Sequence, residues 1–216
     1  MKQVLALIRK EFLLEWRQKH TLFGILLYIS CTVFAIYMMA GQPEGRVWNV
    51  LFWLGQLFVT LNAMAKSFLQ EGEERGRYYF TIVSPARFML AKMVYGVMMM
   101  LLLTLVALGL FVVLLGNPIS HFDRFALAGC SGAMALSILF TFLSAVAARA
   151  RQNAALMAVM GFPIAIPLLM ILSRLTLSSV APVLQEGWWG LLGMMSLLGI
   201  LIAGLAMVLF PVLWKE

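Results

Sequence analysis

Six runs of the chain, each about 18 or more residues long and nearly free of charge, could cross a hydrocarbon layer of roughly 30 Å as helices. They are Thr21 to Ala40, Val47 to Ala65, Met93 to Leu115, Phe125 to Ala147, Ala154 to Leu172 and Gly190 to Leu213. No other feature limits the fold so strongly, because a backbone inside lipid must satisfy its own N–H and C=O groups, which leaves helices or a closed barrel. Barrel strands would alternate polar and apolar residues over short segments, whereas these runs are uninterrupted. The expectation is an all-α polytopic membrane protein with six transmembrane helices. With 63% hydrophobic residues, 12% charged residues and a mean hydropathy of +0.96, residues 1–216 read as a single membrane domain with no room for an additional soluble enzyme domain.

Lys and Arg accumulate on the cytoplasmic side of membrane proteins. Thirteen of the 16 lie in the N-terminal segment, residues 66–92, the fourth loop and the C-terminus; the other three loops hold one each, Arg46, Arg124 and Arg174. Both termini are therefore expected in the cytoplasm. Each outer Arg has a single acid in its loop (Glu44, Asp123, Glu186), so the net charge of +7 falls on the cytoplasmic face. That asymmetry accounts for the basic composition by topology and attraction to anionic lipid, and removes the reason to invoke nucleic acid.

Residues 1–20 are too long and too patterned for the basic region of a secretory signal. Met1, Leu5, Ile8, Phe12 and Trp16 recur at helical spacing, which predicts an N-terminal interfacial amphipathic helix, with an ordinary basic anchor as the alternative. Cys31 and Cys130 fall within spans, without metal-ligand spacing, and read as small packing residues. The 16 Met residues, including the run Met98 to Met100, read as packing or lipid-facing groups. Pro163 and Pro167 remove backbone donors in the fifth span and predict a kink there, serving either a moving gate or local packing.

On these boundaries no Asp, Glu, Lys, Arg or His lies inside a span, although ion-coupled transporters need such groups. Enzyme readings are weak as well: HExxH, GxSxG and metal-ligand clusters are missing, and the histidines are His20 and His121. His121, beside Asp123 and Arg124 in an outer loop, reads as a solvated side chain. No phosphate-binding GxxxxGK[ST] occurs, so the chain has no such route to ATP hydrolysis.

Charge returns abruptly in "EGEERGRYYFTIVSPARFMLAK", residues 71–92. Glu71, Glu73 and Glu74 lead into Arg75, Gly76 and Arg77, followed by the aromatic knob Tyr78, Tyr79 and Phe80. Ser84 then reads as an N-cap with Pro85 at the first helical position. The stretch predicts a short helix, a turn and a second helix entering the membrane. An aromatic knob flanked by charges suits a docking surface; the same tyrosines would also suit an interfacial aromatic belt.

An acidic cluster, a Gly, a short segment, Ser-Pro and a Lys at the next span, placed after span two of six, resemble the permeases of the ABC-2 exporter class. The resemblance is closer to the haem exporter protein B family and extends over essentially the full length. "KEFLLEWRQK", "LNAMAKSFLQE", "IVSPARFMLAKMVY", "LLGNP" and "NAALMAVMGFPIAIPLL" carry it by their joint order. "RGRYYF" departs from the leucine-rich segment common after the Gly.

The resemblance implies a permease subunit in a bacterial cytoplasmic (inner) membrane, with a cytoplasmic coupling helix in the loop 66–92 that docks an ABC ATP-binding subunit. It implies no enzyme activity and no cofactor on this chain, ATP on the partner, and haem as the candidate substrate. The further partners implied are a haem-handling membrane subunit, a small membrane subunit, a periplasmic haem chaperone and a second permease half. An ABC-2 permease for a drug or polysaccharide would share the coupling loop, and a membrane structural subunit without energy coupling is the other alternative.

Overall fold

The computed structural model describes residues 2–17, 19–69, 83–149, 154–180 and 187–215. Among the described residues are seven helices and no strand: α1 Lys2–Arg17, α2 Lys19–Ala40, α3 Gly45–Leu69, α4 Pro85–Leu115, α5 Phe122–Arg149, α6 Ala154–Val180 and α7 Trp188–Lys215. Helices α2 to α7 are each long and apolar enough to cross a membrane. The chain is thus an all-helical polytopic membrane protein. Helix α2 stops at Ala40 because Gly41 enters the left-handed region at φ 61°, which costs glycine nothing, while its N–H closes on the Tyr37 carbonyl.

Helix α5 is the central element, packed against α3, α4, α6 and α7. Its sequence explains this position, since Ala128, Gly132, Ala133, Ala135, Ser137 and Ser144 let neighbouring backbones come close. Gly132 faces Leu172 of α6 so directly that a Cβ would collide with it. On α4, a Cβ at Gly96 would lie 2.9 Å from Thr141 Oγ1 and 3.0 Å from Ser137 Oγ. Helices α2 and α7 sit at the periphery and leave most of their surface uncovered.

The two ends of the bundle are held differently. At one end Trp48 and Phe52 of α3 pack with Phe111 of α4 and Phe125 of α5, with ring centroids 5.3–5.9 Å apart. The Ser179 carbonyl accepts from the backbone N–H groups of Ser120 and His121, both at 3.0 Å, which pins the α4–α5 connection to α6. At the opposite end Leu7 of α1 joins Phe88 and Met89 of α4 and Phe210 of α7 in a smaller apolar cluster. The described N- and C-terminal helices therefore meet at the same end.

Several sequence expectations need correction. Helices continue past the apolar runs, so α6 includes Arg174, α5 begins before Asp123 and Arg124, and α4 carries Arg87 and a buried Lys92. The spans are therefore not charge-free. The helix expected to open at Pro85 does so and continues through Lys92 into the third span, while α3 runs on past its apolar run to Leu69. Cys31 and Cys130 are exposed and do not pack inside the bundle. On α1 the exposed Leu5 and Trp16 agree with a face turned to the membrane interface, but the residues packed against the bundle are Leu7 and Glu11, which lie off the expected stripe. Pro163 and Pro167 both lie inside α6, the helix in which the kink is expected, and their side chains are exposed.

The contacts at Gly96 yield a test. Gly96→Leu should destabilise the folded bundle by about 1–3 kcal/mol through overpacking. Gly109→Leu, at an exposed position of the same helix with nothing within 4 Å, should be close to neutral. Thermal unfolding of the two detergent-solubilised variants, compared side by side, measures the difference.

Candidate functional site

Where α1 meets the start of α4, an ionised side chain is fully enclosed. Lys92 is 2% exposed, and its Nζ donates to Glu11 Oε2 at 2.9 Å. Lys10 approaches the other oxygen of the same carboxylate at 2.8 Å. One turn along each helix the contact repeats as Tyr95 Oη donating to Glu15 Oε2 at 3.0 Å, and Arg87 Nη1 donates to Gln3 Oε1 at 2.6 Å. Phe12 meets the Tyr95 ring edge-on at a centroid distance of 5.2 Å.

Helical spacing produces this ladder. Glu11 and Glu15 are four residues apart on α1, and Lys92 and Tyr95 three apart on α4, so each pair projects from one face. A buried ammonium is tolerated here because it is paired and hydrogen-bonded. Burial pushes the Glu11 carboxyl up, but the Lys92 and Lys10 cations more than offset it and hold its pKa below the ordinary value of 4.5.

Of the residues read from the sequence as a docking surface, Glu71, Glu73, Glu74, Arg75, Gly76, Arg77, Tyr78, Tyr79 and Phe80 lie outside the described residues. Ser84 and Pro85 lie within them. Ser84 has the extended backbone of an N-cap (φ −65°, ψ 140°) and Pro85 opens α4, but the Ser84 side chain makes no capping bond. Its carbonyl instead accepts from the N–H groups of Arg87 and Phe88. Lys92 lies seven positions after Pro85, about two turns of helix. The charged stretch thus runs directly into the α1–α4 contact.

His121 is half-buried at the opposite end, where its backbone N–H bonds Ser179, and the neighbouring Arg124 guanidinium lies 5.7 Å from the Trp188 ring centroid. No cluster of His, Cys, Asp or Glu suited to a metal occurs among the described residues. Sequence reasoning missed the Glu11–Lys92 and Glu15–Tyr95 pairs. Their signal was present in the four-residue spacing of the two acids on a segment otherwise basic.

Lys92→Met, with Glu11 retained, should loosen α1, since removing one partner of a buried pair costs about 3–5 kcal/mol, some of it recovered here through Lys10. Glu11→Leu combined with Lys92→Met should hold α1 more tightly than Lys92→Met alone. Because the Glu11 pKa is lowered on docking, the pair contributes fully above pH 4.5 and its contribution is lost as pH falls through the lowered value. Amide hydrogen exchange over residues 4–15 measures all three effects.

The family described as CcmB protein matches residues 2–209 of the 216. No curated protein matches the chain. The family match takes in the α1–α4 contact and all six spans up to the last turns of α7. The chain therefore belongs to the haem exporter protein B family, a membrane permease component of haem export in cytochrome c maturation.

Proposed function

We propose that this chain is the permease subunit of an ATP-driven complex that delivers haem for c-type cytochromes in a bacterial inner membrane. The observation that carries the proposal is the family match over residues 2–209. ATP is hydrolysed by a separate ATP-binding subunit, consistent with the lack of a phosphate-binding loop in the sequence. That subunit docks on residues 71–85, with Tyr78, Tyr79 and Phe80 as buried anchors and Glu73 and Glu74 orienting the approach. A haem-handling membrane subunit, a small membrane subunit, a periplasmic haem chaperone and a second permease half complete the system.

The ladder between α1 and α4 gives this docking a mechanical consequence. Force applied to residues 71–85 enters the first turns of α4, where Glu11 and Glu15 tie α1 to Lys92 and Tyr95. Helix α1 and the base of the third span then move as one body. Pro163 and Pro167 remove two intrahelical hydrogen bonds from α6 and mark where that helix bends during the cycle.

Alanine substitution of a buried aromatic anchor should weaken retention of the ATP-binding subunit by about 2 kcal/mol or more, and substitution of a rim acid by less. Copurification with each single variant measures it. Disruption of residues 71–85 should abolish covalent haem in c-type cytochromes, whereas His121→Ala should leave it largely intact, as a strain carrying each variant will report. With both termini cytoplasmic, cysteines introduced at Glu44, His121 and Glu186 should label from outside the cell and those at Gln152 and Lys215 should not.

A further inference from the structure

A lateral groove of about 340 Å³ lies between α3 and α6, at the end of the bundle opposite α1. Helix α3 contributes Val50, Trp53 and Leu54, and α6 contributes Leu169, Met170 and Arg174. The two helices run antiparallel, since Gly45 abuts Val180 while Asn49 bonds Ser173 further in. The α6 wall extends from Ile166 to Arg174, eight residues along one face, or roughly 12 Å of helix. The groove is therefore an elongated apolar seam with its single cation at the end nearer the membrane surface.

Among the described residues nothing neutralises this cation. Arg174 is exposed and has no acid or hydrogen-bond partner among the described residues. The polar groups behind it are already committed to one another. Asn49 Nδ2 donates to the Ser173 carbonyl at 2.9 Å, Trp53 Nε1 donates to Thr176 Oγ1 at 2.8 Å, and Thr176 Oγ1 lies 2.7 Å from Asn49 Oδ1. This network fixes one wall of the seam and leaves the guanidinium donors available to a ligand.

We propose that the groove binds one anionic phospholipid from the leaflet at that end. Its phosphate lies on Arg174, and one acyl chain runs inward along Met170, Leu169 and Ile166 against Val50 and Leu54. The polarity of the site selects this ligand: charge at the surface end and an apolar seam leading toward the midplane match a lipid in its ordinary orientation. A free anion would leave the seam empty. A zwitterionic lipid would bring its own cation to the guanidinium.

Native mass spectrometry of the full-length chain, loaded with phosphatidylglycerol or phosphatidylethanolamine of identical acyl chains, tests the site. Retention of phosphatidylglycerol should fall about fivefold in Arg174→Gln, the effect of one cation near an anionic headgroup. Leu169→Trp, which obstructs the seam and leaves Arg174 in place, should lower retention of phosphatidylglycerol as well, and excess inorganic phosphate should not displace it. Equal retention of phosphatidylglycerol by wild type and Arg174→Gln would overturn the proposal, as would equal retention of the two lipids by wild type or displacement by inorganic phosphate alone. Arg174 is exposed, so Arg174→Gln tests the site independently of whether Leu169→Trp folds.

Discussion

Between helices already immersed in lipid, hiding apolar side chains gains little, because the surrounding chains are as apolar as leucine. What holds this bundle is close approach and the hydrogen bonds that close approach permits. The small residues of α5 bring α4 and α6 to it, with Gly96 and Gly132 at the tightest points. From that centre α3 is placed so that Asn49 and Trp53 reach Ser173 and Thr176 across to α6. The aromatic cluster around Phe52 fills the remaining space near one end and leaves the other to a different kind of contact.

That other contact is electrostatic. Lys92 sits where α4 leaves the bundle, and with Lys10 it satisfies Glu11 while α1 lies alongside. A pair of this kind contributes less to net stability than to geometry, because its desolvation offsets much of its attraction. Its value here lies in fixing which face of α1 turns inward. With Glu11 and Glu15 committed to α4, Leu5 and Trp16 are left on the uncovered side, where apolar side chains suit the membrane interface.

The six spans were legible because run length and hydropathy are local properties that no tertiary contact overrides. Their ends were less so, since an apolar run marks the hydrocarbon while the helix continues past it to Arg174 and back through Lys92. The inward face of α1 was hidden because a carboxylate on a basic segment reads as solvated, and the cation that encloses it is 81 residues away. Cys31 and Cys130 are small, yet size alone does not say which side of a helix faces a neighbour. The charged stretch after α3 stood out by composition.

The same 81-residue separation orders the assembly of the protein during synthesis. When α1 leaves the ribosome, Glu11 has the neighbouring Lys10 as its counter-charge, because α4 does not yet exist. Until the third span has been inserted, α1 can be held only by its exposed apolar side chains at the membrane surface. The Glu11–Lys92 pair therefore closes only after the first three spans are in place, so α1 takes its final inward face late in synthesis.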